Sequence, residues 1–173
     1  MWDFGQADLL EPEAIGEPGQ RTFRVRVLSG SEAASLWLEK EQLATLTMHI
    51  RQLLAQTTKG EPASEPDPPA PTSTFPEQPQ VDFKIGRLGI GYDEARRLVA
   101  IFAYEMDLAE DAPPTFSCQV TRGQCRAFAD RAEDVVSAGR PVCILCGGPI
   151  ESGEHSCGRR NGHAERPISL EHD

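Results

Sequence analysis

The sequence predicts an α+β protein. Two strand–strand–strand–helix halves form an antiparallel sheet layer packed by two helices, followed by a C-terminal zinc knuckle. Three observations lead there. Apolar and polar residues alternate over Thr22–Leu28 and Phe116–Thr121, the period of half-buried strands. Apolar residues recur at helical spacing after each strand set, at Leu43, Leu46, Ile50, Leu53 and Leu54 and again at Cys125, Phe128, Ala129, Ala132, Val135 and Val136. A compact Cys/His cluster then occupies residues 143–157.

In the first half (residues 1–56), Met1–Leu9 is expected as an edge strand, and Gly16-Glu17-Pro18-Gly19 reads as a turn. Thr22–Leu28 is the next strand, Ser29-Gly30-Ser31 turns the chain, and Ala34–Glu39 returns as the second arm of a hairpin. An amphipathic helix follows from about Lys40 to Gln56. Residues 57–80 hold seven of the 14 prolines and one large apolar residue, Phe75. So little apolar surface cannot offset ordering entropy, and a flexible linker is expected.

The second half (residues 81–139) repeats the order. Asp82–Tyr92 is a strand whose apolar parity switches at Gly86, as a bulge would require. Asp93-Glu94-Ala95-Arg96 turns into a central strand, Arg97–Glu105, and Phe116–Thr121 precedes a helix that ends near Gly139. The strand-to-helix joints resemble each other, Lys40-Glu41-Gln42-Leu43 beside Arg122-Gly123-Gln124-Cys125, which points to an internal duplication.

With 173 residues, a net charge of −10 and 39% apolar residues, the chain is the size of one domain with an appendage. The acidity argues against a general nucleic-acid or anionic-membrane surface. No run approaches the roughly 18 apolar residues of a membrane span, and Met1–Gln6 lacks a signal-peptide pattern, so the cytoplasm is the expected compartment. The five cysteines then read as thiols or metal ligands.

The chemistry concentrates in residues 140–163. Cys143 and Cys146 have Cys-x2-Cys spacing with Gly147 next, and His155 and Cys157 follow shortly after. Such a turn aims two thiolates at one ion, and a nitrogen and sulfur donor set suits tetrahedral zinc. Cys143, Cys146, His155 and Cys157 are the expected ligands, with His163 as the alternative to His155. Four protein ligands leave no open position, so this zinc is structural. In a segment with little apolar core, the ion would supply most of the folding free energy.

Elsewhere the residues point to packing. Cys118 and Cys125 fall on buried faces and read as core. His49 lies beside the helical stripe without a catalytic motif, and Gly86, Gly89 and Gly91 read as bulges. Glu11, Glu13, Glu17, Glu105, Asp107, Glu110 and Asp111 read as solvated loop acids. Arg159, Arg160 and Arg166 give the zinc segment a basic edge, and residues 164–173 form a tail.

Assembled, Glu17–Phe23, Leu38–Gln42, Gly86–Tyr92 and above all Ala138–Gly162 resemble an uncharacterised bacterial family, Domain of Unknown Function 3090. Where that family commonly carries proline after the first and last cysteines, this chain has Ile144 and Gly158, which leaves the ligands intact. Members often have Tyr at the place of His163, which favours His155 as ligand. The family has no established activity. The resemblance implies a shared pathway or complex with a histidine-phosphatase-superfamily protein or a kinase-like protein.

The function expected is that of a non-catalytic binding or adaptor protein. An enzyme or small-molecule-binding domain is the rival, and it would need a pocket between sheet and helices, with Arg21, Arg24 or Arg26 near Glu39 or Glu41. An RNA-contacting zinc module is the third reading, which salt-dependent retention on polyanion would favour.

Overall fold

The computed structural model describes residues 1–57 and 74–138. The elements run β1 (Trp2–Gln6), β2 (Leu9–Ile15), β3 (Thr22–Ser29), β4 (Glu32–Leu38), α1 (Lys40–Thr57), β5 (Val81–Asp93), β6 (Leu98–Glu105), β7 (Phe116–Thr121) and α2 (Arg122–Ala138). The α+β class follows the sequence pattern, as does the order of the elements apart from β2.

The sheet corrects the expectation of purely antiparallel pairing. Among the described residues its seven strands lie in the order β1-β7-β6-β5-β4-β3-β2. Each half is an antiparallel meander, β2-β3-β4 and β5-β6-β7, but the halves join through parallel pairs, β4 with β5 and β1 with β7. A joint of this kind is non-local, and alternation in sequence is the same for a parallel and an antiparallel partner.

One long bent strand begins each half. Val81–Lys84 pair with β4, after which a bulge at Gly86 turns the strand and Arg87–Asp93 pair with β6. Trp2 and Asp3 likewise pair with β7, and beyond Gln6 the chain crosses to pair with β3. At that crossing Ala7 N–H donates to Gln119 O and Asp8 N–H to Leu28 O, both at 2.8 Å. The two edges of the sheet therefore meet at residues 7–8, and the sheet curls round its own core. The edge strand expected over Met1–Leu9 is β1 alone, and β2 over Leu9–Ile15, on the opposite edge, is a strand the sequence pattern did not predict.

Gly86 allows the bulge because a Cβ there would stand 2.9 Å from the Met106 Cα. Gly89 and Gly91 are not bulged. They stay in register opposite Phe102 and Ala100, with the Phe102 ring lying over both.

The inner face is the core. Val25, Val27, Leu36, Ile85, Val99, Ile101 and Val120 are buried there, and Phe4 meets Phe116 edge-on with ring centroids 4.8 Å apart. Leu43, Leu46, Ile50 and Leu54 of α1 and Cys125, Phe128, Ala129 and Ala132 of α2 close it. Each buried aliphatic side chain stabilises by about 1.5–3 kcal/mol, so this apolar stripe, more than propensity, holds the helices down. Arg51 of α1 ties the helices together through Glu133 and Asp130.

Both helices begin on the same device. Gln42 Oε1 accepts from Glu39 N–H and Gln124 Oε1 accepts from Thr121 N–H, each at 2.8 Å, which satisfies a donor at the helix start. Each glutamine also reaches the bend of the other half: Gln42 Nε2 donates to Ile85 O and Gly86 O, and Gln124 Nε2 to Ala7 O.

The proline-rich region lies mostly outside the described residues, but its end is placed. Phe75 lies 5.4 Å from the guanidinium carbons of both Arg24 and Arg26, and the Gln80 side chain accepts from Ala33 N–H. Glu11 and Glu13 are strand residues of β2 rather than loop acids, and they pair with Arg26 and Arg24 across the β2–β3 ladder.

Candidate functional site between helix 1 and strand 5

The two halves place their helices differently. Helix α2 lies close along β2, whereas α1 and the second part of β5 stand apart with a cleft of about 300 Å³ between them. Glu41, Gln42, Thr45, Leu46 and His49 form one wall, and Gly86, Arg87, Leu88, Gly89 and Ile90 the other. Glu41, Thr45 and His49 are four residues apart, hence in one line along the helix. At the positions that correspond through Gln42 and Gln124, α2 carries Gly123, which is buried, and Ala127, which is exposed; Gly123 has no side chain to hold the helix off its neighbour.

The floor of the cleft is apolar. Leu46 is buried, Leu88 and Ile90 are half-buried, and Leu46 and Leu88 also wall a small void in the core. The Arg87 side chain is held elsewhere: its guanidinium stacks 4.0 Å over the Tyr104 ring and donates to Glu110 O. Gln42 is occupied with its cap and with the β5 bend. Glu41, Thr45 and His49 are exposed at the rim.

The main chain of β5 is the other component. Pairing with β4 ends at Lys84, so among the described residues β5 is bonded on one side only from Arg87 onward. Glu105 N–H donates to Thr115 on the far side of β6, which fixes the alternation: Tyr104, Phe102 and Ala100 direct their backbone at β5. Their partners Arg87, Gly89 and Gly91 bond to β6, and Leu88, Ile90 and Tyr92 turn their N–H and C=O groups toward the α1 side.

The residues singled out in the sequence fall as follows. Cys118 and Cys125 are core thiols, 1% and 0% exposed. Burial, then Cys125 and Asp3, push the Cys118 thiol up to about 12. His49 is at the cleft rim. Arg21 lines a second cavity of about 310 Å³ together with Glu39 and Glu41, while Arg24 and Arg26 are engaged by Glu13 and Glu11. Cys143, Cys146, His155, Cys157 and His163, with Arg159, Arg160 and Arg166, lie outside the described residues. Among the described residues no group of three His, Cys, Asp or Glu side chains is placed to hold a metal. No described helix is long and apolar enough to cross a membrane.

Sequence reasoning missed the cleft. The signal was the Glu41–Thr45–His49 line beside the apolar stripe, which marks a helix face with a neighbour on one flank only.

Comparison with family models gives one match, described as a protein of unknown function, over residues 2–157. The chain belongs to the DUF3090 family. The match covers all the described elements and extends through Cys157. No curated protein and no solved structure matches the chain.

Proposed function

We propose that this DUF3090 chain is a non-catalytic binding protein of the cytoplasm that engages its target in the α1–β5 cleft. The observation that carries this reading is the contrast between the halves: α2 lies along β2, while α1 leaves β5 accessible above an apolar floor of Leu46, Leu88 and Ile90. A duplicated strand–strand–strand–helix unit accounts for the matching caps at Gln42 and Gln124. One copy of its helix–strand seam is then closed for stability and the other kept open for binding.

A structural zinc at Cys143, Cys146, His155 and Cys157 belongs to the same proposal. Its support is the donor chemistry and the spacing.

An apolar fluorescent probe, anilinonaphthalene sulfonate, tests the cleft. The native chain should enhance its fluorescence saturably, Thr45→Trp should abolish the effect by filling the cleft, and Ala127→Trp at the matching place on α2 should not. Equal fluorescence in all three would overturn the assignment.

A further inference from the structure

We propose that the occupant of the α1–β5 cleft is an extended peptide that adds to β5 as a further strand. This rests on the cleft being the binding site and goes on to name the chemistry that fits it. Three features identify the occupant.

The first is unused main-chain bonding. Leu88, Ile90 and Tyr92 turn backbone N–H and C=O groups to the side where, among the described residues, β5 has no strand partner beyond Lys84. A row of alternate donors and acceptors along an extended edge is complementary to another extended backbone, and to little else.

The second is the matching edge of the other half. Through the pairs Leu10–Val27 and Pro12–Val25 beside Leu88–Ala103 and Ile90–Ile101, Pro12 of β2 corresponds to Ile90 of β5. Proline has no N–H to offer, and α2 lies along that strand. The same edge is blocked in one half and left able to bond in the other.

The third is the shape of the apolar floor. Leu46, Leu88 and Ile90 line a cleft of about 300 Å³, room for one or two aliphatic side chains of a strand laid against β5. The main-chain ladder would supply affinity and this floor would select the side chain. With a net charge of −10, the chain favours neutral or basic peptides over acidic ones.

The experiment uses the full chain with zinc and a phage-displayed library of random peptides, counter-selected on Thr45→Trp. Enriched peptides should share an aliphatic residue and bind the native chain and Ala127→Trp alike. N-methylation of alternate backbone nitrogens in one such peptide should weaken binding at least tenfold, with the intervening positions tolerant. Amide exchange at Leu88 and Ile90 should slow when it binds.

Failure to enrich any peptide, or equal tolerance of every N-methyl position, would overturn strand addition even where the fluorescent probe still reports the cleft. Concentration-dependent dimerisation abolished by Thr45→Trp would overturn it too, by making a second copy the occupant. Loss of probe binding specificity would instead remove the cleft reading itself.

Discussion

Gln42 and Gln124 make the same two contacts in opposite directions across the molecule. Each accepts from the N–H at the start of its own helix and donates to the bend of the long strand in the other half. The environments differ. Gln124 is 7% exposed and its bond to Ala7 O is buried, whereas Gln42 is only half-buried. Removing a partner of a buried carbonyl costs its desolvation, so Gln124→Ala should destabilise by about 1–3 kcal/mol and Gln42→Ala by about 1 kcal/mol or less. Urea unfolding of the two variants checks the order.

Gly86→Ala should destabilise by about 1–3 kcal/mol, because its Cβ would press on the Met106 backbone and neither strand can yield without breaking the bulge. Gly89→Ala should be milder, since its Cβ meets the Phe102 side chain at 3.6 Å, an ordinary contact. Thermal melts of the pair separate a close backbone approach from a general dislike of lost glycine.

Cys118 sets a limit on the alkaline side. Its thiol is raised in the folded chain from an ordinary 9.0 to about 12, chiefly by burial. An acid raised on folding keeps its full contribution below the unfolded value and loses it as pH climbs toward the folded one. Stability should therefore fall between about pH 9 and 12, and Cys118→Ala should flatten that part of the profile. At neutral pH a thiol reagent should reach Cys118 and Cys125 only as fast as the core opens.

The zinc expectation is checked by metal analysis. Protein purified without added metal should carry about one zinc per chain. His155→Ala should lower that content and His163→Ala should leave it intact. Absence of any thiophilic metal would remove the site.

Periodicity made the elements legible because it reports which face is buried, and both helices and the Gly86 bulge follow from it. The partners of those faces were not legible. Nothing local marks β4 as parallel to β5, or the chain as crossing from one sheet edge to the other at Ala7 and Asp8. Glu11 and Glu13 read as solvated acids from their charge alone, and Pro12 stands between them. Proline in β2 is the sign of an edge strand whose missing donor faces away from β3. The cleft was hidden for a related reason: its width depends on how closely each helix approaches its strand. That distance is a matter of tertiary packing, and no spacing within α1 or α2 encodes it.

Amide hydrogen exchange on the free, full-length chain tests the central claim most directly. The account predicts that Leu88, Ile90 and Tyr92 exchange far faster than Arg87, Gly89 and Gly91, which bond to β6. It also predicts that Leu10 and Ala14, under α2, stay protected. Slow exchange at Leu88 and Ile90, equal to that of their neighbours, would mean that the β5 edge is closed and would contradict the account.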